Sequence, residues 1–331
     1  MLPPRFWSLS KPGFIARLLA PLGWLYGTIT AARMNGQGTR LSVPVICVGN
    51  FTLGGAGKTP TCLMLAHMLI EAGHRPAFVS RGYGGALSSP MPMLVKPELH
   101  TSAEVGDEPL LLARLAPCYI CTDRLAAAQA AIAAAATVII LDDGLQNPKL
   151  AKIFSVAVID AQAGFGNGLC FPAGPLRAPL ESQVGHVDAV IFIGKDVADN
   201  VRFLAKLRPD LRSLFGTLIP DAAIAAGLHG QRVFAFAGIG RPEKFFQTLR
   251  ETGADVVATQ SFPDHHEFTT KDMESLVKIA KARGVIPVTT QKDAMRLPPR
   301  LRNNVVALPV TLQLEQASRL LELIQTKIQA P

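Results

Sequence analysis

Aromatic side chains are scarce, with 2 Trp, 3 Tyr and 16 Phe in 331 residues, and no basic stretch is interleaved with them. That excludes a stacking platform for single-stranded nucleic acid, which needs aromatic faces along a cationic groove. Charged residues make up only 18% of the chain and hydrophobic residues 49%, a balance that builds packed cores and excludes disorder. The cysteines are few and odd in number (Cys47, Cys62, Cys118, Cys121 and Cys170). This excludes a disulfide framework and fits a reducing compartment. Cys118 and Cys121 form a C-x-x-C with no second ligand pair nearby, so a zinc site is not expected. The uncharged run from Leu18 to Ala32, interrupted by Pro21 and Gly23, is shorter than the ~20 residues a membrane span needs, and no small-x-small cleavage site follows it.

What is present points to a two-part α/β protein. The length exceeds one typical domain of roughly 100–200 residues. Short apolar runs at 43–49, 77–80, 138–143, 156–160 and 189–194 read as buried strands, with helix-like stretches at 59–72 and 123–136 between them. A second set follows: strands at 233–240, 254–260, 285–290 and 305–310, and helices near 242–252, 270–283 and 313–329. This alternation predicts a mostly parallel sheet in residues 1–220 and a smaller C-terminal α/β domain in 221–331. The net charge of +8 calls for an anionic partner. The basic residues are scattered and no nucleic-acid motif is present, so that partner is not nucleic acid. All ionisable residues in 5–33 are basic: Arg5, Lys11, Arg17 and Arg33. With Phe14, Leu18, Leu22, Leu25 and Ile29 at helical spacing, the segment suits either an interfacial helix on an anionic membrane or a helix packed on the protein's own sheet.

The stretch 48–61, VGNFTLGGAGKTPT, ends like a phosphate-binding loop. The usual G-x-x-x-x-G-K-[ST] spacing wants glycine at 52, where Thr52 stands. An apolar strand precedes the loop and a helix follows it, the context such a loop requires. Backbone N–H groups of Thr52, Leu53, Gly54, Gly55, Ala56 and Gly57, with the helix N-terminus behind them, suit a phosphate chain. Lys58 would reach the β- and γ-phosphates of ATP, and Thr59 would ligate Mg²⁺. The loop resembles the deviant K-G-G-x-G-K-[ST] form of the dimerising switch ATPases, but Leu53 occupies the position of their signature lysine. That favours an enzyme whose acceptor is a second substrate.

Two aspartates, Asp142 and Asp143, end the strand VIILDD, where a carboxylate can serve Mg²⁺. Asp107 and Glu108 precede Pro109 and an apolar run, as helix-capping acids would. Asp264, His265 and His266 adjoin in SFPDHHEF; spacing alone leaves a metal site, a proton relay and a solvated loop open.

Together VGNFTLGGAGKTP, SRGYGG, VGDEPLLLA, DDGLQN, FGNGLCFPAGPLR, FAGIGRPEKFF, SFPDHHEF and TTQKDAMRL, in order from 48 to 297, resemble the tetraacyldisaccharide 4'-kinases of Gram-negative bacteria. The resemblance implies a kinase at the cytoplasmic face of the bacterial inner membrane, peripheral or monotopic, using ATP and Mg²⁺. Its acceptor would be the 4'-hydroxyl of tetraacyldisaccharide 1-phosphate, giving lipid IVA in lipid A biosynthesis. It implies Asp107 as general base supported by His265, with Asp142 and Asp143 serving metal and phosphate, Asp143 as the metal ligand. Arg177 would stabilise charge, and Arg81, Tyr83, Gln146 and Asn147 would contact the acceptor. The chain departs from the family at Asn147 (commonly His), Ala178 (commonly Glu, with Glu181 three residues on) and Gln291 (commonly Glu).

Overall fold

A computed structural model describes residues 4–87, 90–195 and 199–329. The strands are β1 (Val45–Gly49), β2 (Pro76–Ser80), β3 (Met93–Leu94), β4 (Cys118–Ile120), β5 (Val138–Asp142), β6 (Phe154–Asp160), β7 (Ala189–Ile193), β8 (Arg212–Pro220), β9 (Arg232–Ala237), β10 (Asp255–Ser261), β11 (Ile286–Thr290), β12 (Val306–Leu308) and β13 (Val310–Leu314). Nine form one sheet in the order β13-β8-β7-β6-β1-β5-β2-β4-β3, and four form a second in the order β10-β9-β11-β12. All pairings are parallel except β3 with β4 and β13 with β8, at the two edges of the large sheet.

The central strands are apolar throughout because both faces are covered. In β1, Ile46 and Val48 face one core with Leu65 and Leu69; Val45 and Cys47 face the other with Ala127, Ala128 and Ala131. After β1 the chain crosses by helix α2 (Lys58–Glu71) to β2 on one side; after β5 it returns to β6 on the other. The chain thus reverses direction about β1, and the strand ends beside such a reversal are where α/β sheets bind ligands.

The 305–310 run, expected as one strand, is divided at Pro309. β12 pairs with β11 in the small sheet, whereas β13 pairs with β8 in the large one. The helix Ala317–Gln329 begins later than expected and buries Leu320 and Ile324 in the same core as Leu65. The end of the 221–331 segment therefore packs on the large sheet. All five cysteines are free thiols.

Helix α1 (Phe14–Met34) buries a narrow stripe of Ala16, Gly23, Gly27, Thr30 and Met34. Gly23 and Gly27 let its backbone close on the segment at Cys170: added Cβ atoms would lie 2.6 Å from the Cys170 carbonyl oxygen and 2.7 Å from its Sγ. The large apolar residues Phe14, Leu18, Leu22, Leu25 and Ile29 lie on the outer side, exposed. Contrary to the expectation from the uncharged run at 18–32, the helix continues through Pro21 and Gly23 for 21 residues and is long and apolar enough to cross a membrane by length and composition alone. Its one packed face and one bare apolar face are compatible with peripheral membrane association.

Candidate active site

The phosphate loop leaves β1 at Gly49 and enters α2 at Lys58. Gly54 (φ +110°) and Gly57 (φ +96°) occupy the left-handed region, and a Cβ at Gly57 would lie 2.4 Å from Ile193 Cδ1. Among the described residues, the N–H groups of 54–57 have no internal acceptor outside helix and strand ladders. Four open donors at the N-terminus of a 14-residue helix form an anion cradle. The loop is braced by Leu53 N–H, which donates to the Pro175 carbonyl (2.7 Å), and Arg177 N–H, which donates to that of Phe51 (2.9 Å). Thr52, at the position where glycine is usual, gives its carbonyl to Arg177 Nε (3.1 Å).

Lys58 is buried. Its Nζ lies 3.4 Å from Asn50 Oδ1 and 3.7 Å from Asp143 Oδ1. The Arg177 guanidinium straddles Asp143, with Nη1 3.0 Å from Oδ1 and Nη2 3.1 Å from Oδ2. Burial resists the charge on Asp143, but Lys58 and Arg177 overcome it and hold the carboxyl below its ordinary range. Asp142 is the opposite case. Burial, reinforced by Glu108 and Asp143, pushes it up to about 7, and Ser80 Oγ donates to it at 3.2 Å. Behind these groups Gln146 Nε2 donates to Asn50 O (2.9 Å) and Gln183 Oε1 (2.8 Å), while its own Oε1 faces Arg177 Nη1 at 3.5 Å. Asn147 Oδ1 accepts from Lys149 N–H at 2.9 Å, closing its own turn. Ala178 is fully buried and Glu181 is exposed.

Asp107 begins helix α4 (Asp107–Leu112), which follows α3 (Ser102–Val105), and its Oδ1 accepts from Glu108 N–H at 2.9 Å, as a helix-start acid does. It is nevertheless buried and faces the smaller sheet, with Oδ2 3.4 Å from His265 Nδ1 and 3.6 Å from Arg296 Nε. Burial opposes its charge. The facing His265 imidazole and the Lys292 and Arg296 cations outweigh that and hold it well below the usual carboxylate range. The facing Asp107 carboxylate in turn raises His265, against the effect of burial. His265 has φ +57°, rare outside glycine and a sign of a position fixed by its surroundings. The exposed Tyr83 ring stands edge-on to His265 at 6.0 Å; Arg81 lies two residues before it, exposed. The adjacent His266 stacks on Phe262 (4.7 Å) and meets Asp272 Oδ2 at 3.3 Å. It is half-buried at the edge of the smaller unit's core.

The two units meet around this cleft. Lys292 Nζ lies 2.5 Å from Glu108 Oε1. Arg241 Nη1 (2.5 Å) and Lys244 Nζ (3.1 Å) both reach Asp160 at the end of β6. A Cβ at Gly240 would be 3.8 Å from Gly55 N, so the segment after β9 covers the phosphate loop. Sequence reasoning singled out neither Asn50, Asp160, Gln183 nor Arg296. Asn50, Arg241, Lys244 and Arg296 lie inside the motifs quoted above, which was the available signal. Among the described residues no group of three or more His, Cys, Asp or Glu side chains forms a metal cage.

A mostly parallel sheet, a glycine loop with open N–H groups, and a lysine and aspartate at its mouth define a P-loop NTPase-like protein. A carboxylate and an imidazole, Asp107 and His265, face each other across the cleft beside the loop. The family model described as Tetraacyldisaccharide-1-P 4'-kinase matches residues 15–329. A tetraacyldisaccharide 4'-kinase of Methylobacterium nodulans is 53% identical over 316 residues, covering 96% of this chain and 93% of the relative. One of Methylorubrum extorquens is 50% identical over 320 residues, covering 97% of each. The crystal structure of LpxK from Aquifex aeolicus in complex with ATP is similar, with TM-score 0.73 and 26% identity, covering 95% of this chain and 100% of that one. The chain belongs to the tetraacyldisaccharide-1-P 4'-kinase family, and it is a kinase.

Proposed function

We propose that this protein transfers the γ-phosphate of ATP to the 4'-hydroxyl of tetraacyldisaccharide 1-phosphate at a membrane surface. The observation that carries the reading is the cleft itself: an open anion cradle with Lys58 on one side, and a buried Asp107 with His265 on the other. The N–H groups of 54–57 and the Lys58 ammonium bind the phosphate chain. Arg177 and Lys58 hold Asp143 ionised beside it. Mg²⁺ fits these residues: Thr59 supplies a hydroxyl and Asp143 a carboxylate oxygen, Oδ1, that accepts no well-directed hydrogen bond. Mg²⁺ bound there would neutralise phosphate oxygens. Arg177 adds a fixed positive charge where negative charge gathers in transfer.

The acceptor hydroxyl is oriented toward the Asp107–His265 pair, with Arg81 and Tyr83 at the cleft edge and Gln146 and Asn147 in the loop behind Arg177. As the new O–P bond forms and the bond to the ADP oxygen breaks, the hydroxyl proton passes to the pair. Asp107, strongly acidic in its own right, orients the imidazole and stabilises it once charged. The outer face of α1, flanked by Arg5, Lys11, Arg17 and Arg33, lies on the cytoplasmic leaflet of the inner membrane, where ATP and the acylated acceptor meet. Incubation of the purified protein with radiolabelled ATP, Mg²⁺ and the disaccharide 1-phosphate should place label in the lipid at the 4' position. Label that goes only to water would overturn the reading.

A further inference from the structure

Arg296, in the motif TTQKDAMRL, is fully buried and belongs to neither the phosphate cradle nor the proton pair. It sits at the end of the helix Gln291–Arg296, whose start is fixed by Thr290: its Oγ1 accepts from Asp293 N–H at 3.0 Å. Arg296 Nη2 donates to Asp293 Oδ1 (2.5 Å) and to the Gly238 carbonyl (2.8 Å). The same carbonyl accepts from the backbone N–H of His265 at 3.0 Å, and Gly238 N–H donates back to Asp293 Oδ1 at 2.9 Å. On its other edge, Arg296 Nε faces Asp107 Oδ2 at 3.6 Å. Both of those atoms are buried and neither makes a hydrogen bond. A guanidinium left half-satisfied in a dry interior is costly, and the group it faces is the carboxylate of the proton pair.

We propose that Arg296 is a positioning residue for phosphoryl transfer: it ties Asp107, from one unit, to the Gly238 carbonyl that anchors His265 in the other. This rests on the transfer reaction proposed above. The geometry gives the arginine two tasks. Its Nη2 fixes the loop that presents His265, and its Nε supplies a non-titrating cation to the carboxylate. Lysine could supply the charge but not both directed contacts. The charged and titratable groups around Asp107 are His265, Asp264, Arg296, Lys292, Asp293 and Glu108. Removing one cation from this set favours protonation of the pair, so the acid limb of the kcat/KM profile moves to higher pH.

The test uses the full chain with ATP, Mg²⁺ and the disaccharide 1-phosphate, and compares wild type, Arg296→Met, Arg296→Lys, His265→Ala and Arg296→Met/His265→Ala. The expected result is a fall in kcat of roughly tenfold or more for Arg296→Met, the lower range of general acid–base effects. KM for ATP stays within about twofold, because the phosphate cradle is intact. The acid limb moves upward, and Arg296→Lys restores the limb while recovering only part of kcat. In the His265→Ala background, Arg296→Met costs little more, since the two act through one pair. Circular dichroism checks folding, and Arg296→Lys carries the kinetic comparison if Arg296→Met does not fold. Wild-type kcat in either folded variant overturns the assignment. So does a loss that leaves the pH profile unmoved and multiplies fully with His265→Ala, which would make Arg296 merely structural. Absence of lipid phosphorylation by the wild type overturns the reaction and this assignment together.

Discussion

Replacing Leu18, Leu22 and Leu25 together by serine should detach the protein from membranes without unfolding it. The three side chains are 71%, 56% and 52% exposed, so what they would bury in a bilayer is the surface that the fold leaves bare. A fully buried leucine contributes about 1.5–3 kcal/mol. Scaled by those exposures, the triple change removes roughly 3–5 kcal/mol of partitioning free energy, or about 10²–10⁴ in the partition coefficient. The packing stripe of Ala16, Gly23, Gly27, Thr30 and Met34 is untouched, so the thermal unfolding curve should not move. Arg17 and Arg33 remain, so a weaker attachment that high salt abolishes should persist on anionic vesicles, at about 1 kcal/mol per basic residue. The assay is co-sedimentation with vesicles of phosphatidylethanolamine and phosphatidylglycerol, with circular dichroism on the same samples. Folded triple variant that sediments like wild type would refute the interfacial role of α1. Truncating residues 1–27 is a poorer probe, because it also strips Gly23 and Gly27 from the Cys170 segment they pack against.

Lys58→Ala should abolish transfer, since the cradle loses its buried ammonium; turnover near wild type in a kinase assay would remove the loop from the mechanism. Asp107→Ala and His265→Ala should each lower kcat about 10²-fold or more, with the double variant hardly worse than the worse single one. His266→Ala, which breaks a ring stack, should show its effect in unfolding temperature instead, and a larger kinetic loss there than at His265 would show that the wrong histidine was chosen. Asp142→Asn should stabilise the ligand-free protein in alkaline solution while lowering transfer. Its carboxyl is held at about 7 against an ordinary 3.8. As pH rises the unfolded carboxyl ionises first, so the native state loses stability between about pH 4 and 7 and does not regain it above. The variant should therefore melt above wild type at about pH 8 and close to it at about pH 4.5; a constant difference across that range would contradict the raised value.

The phosphate loop was legible because its chemistry is local: glycines, lysine and threonine act through the backbone of one turn, and an apolar strand before them fixes where it sits. The parallel strands were legible for a similar reason, since burial on both faces leaves β1 and β7 without a polar position and β5 with only its terminal Asp142. The edge strands were not. β8 runs RSLFGTLIP with only Leu214 and Gly216 buried and the rest half-buried or exposed, and β13 is separated from β12 by a single proline. A continuous apolar stretch cannot show that its two halves pair with different sheets. In the site, His265 and His266 are equivalent on paper. The fold separates them by a left-handed backbone at His265, which turns one ring to Asp107 and leaves the other between Phe262 and Phe268. Asp107 read equally well as a helix-start acid, and it is one; the second role comes from a partner 158 positions away in the chain. Arg296 gave no signal of its own, because a buried arginine near a helix end looks like any surface one until its neighbours are known.

The charges between the two units are segregated by sign. Across the seam between the two units the anions Asp107, Glu108 and Asp160 come from the large sheet's side, and the cations Arg241, Lys244, Lys292 and Arg296 come from the smaller one. That polarity suits a phosphate donor. The large unit can keep three carboxylates ionised next to the site without repelling a polyphosphate, because each is already answered by a cation from across the cleft. The smaller unit faces the phosphate loop with groups that attract both carboxylates and phosphate. His265 and Arg296 meet Asp107 where the two units touch.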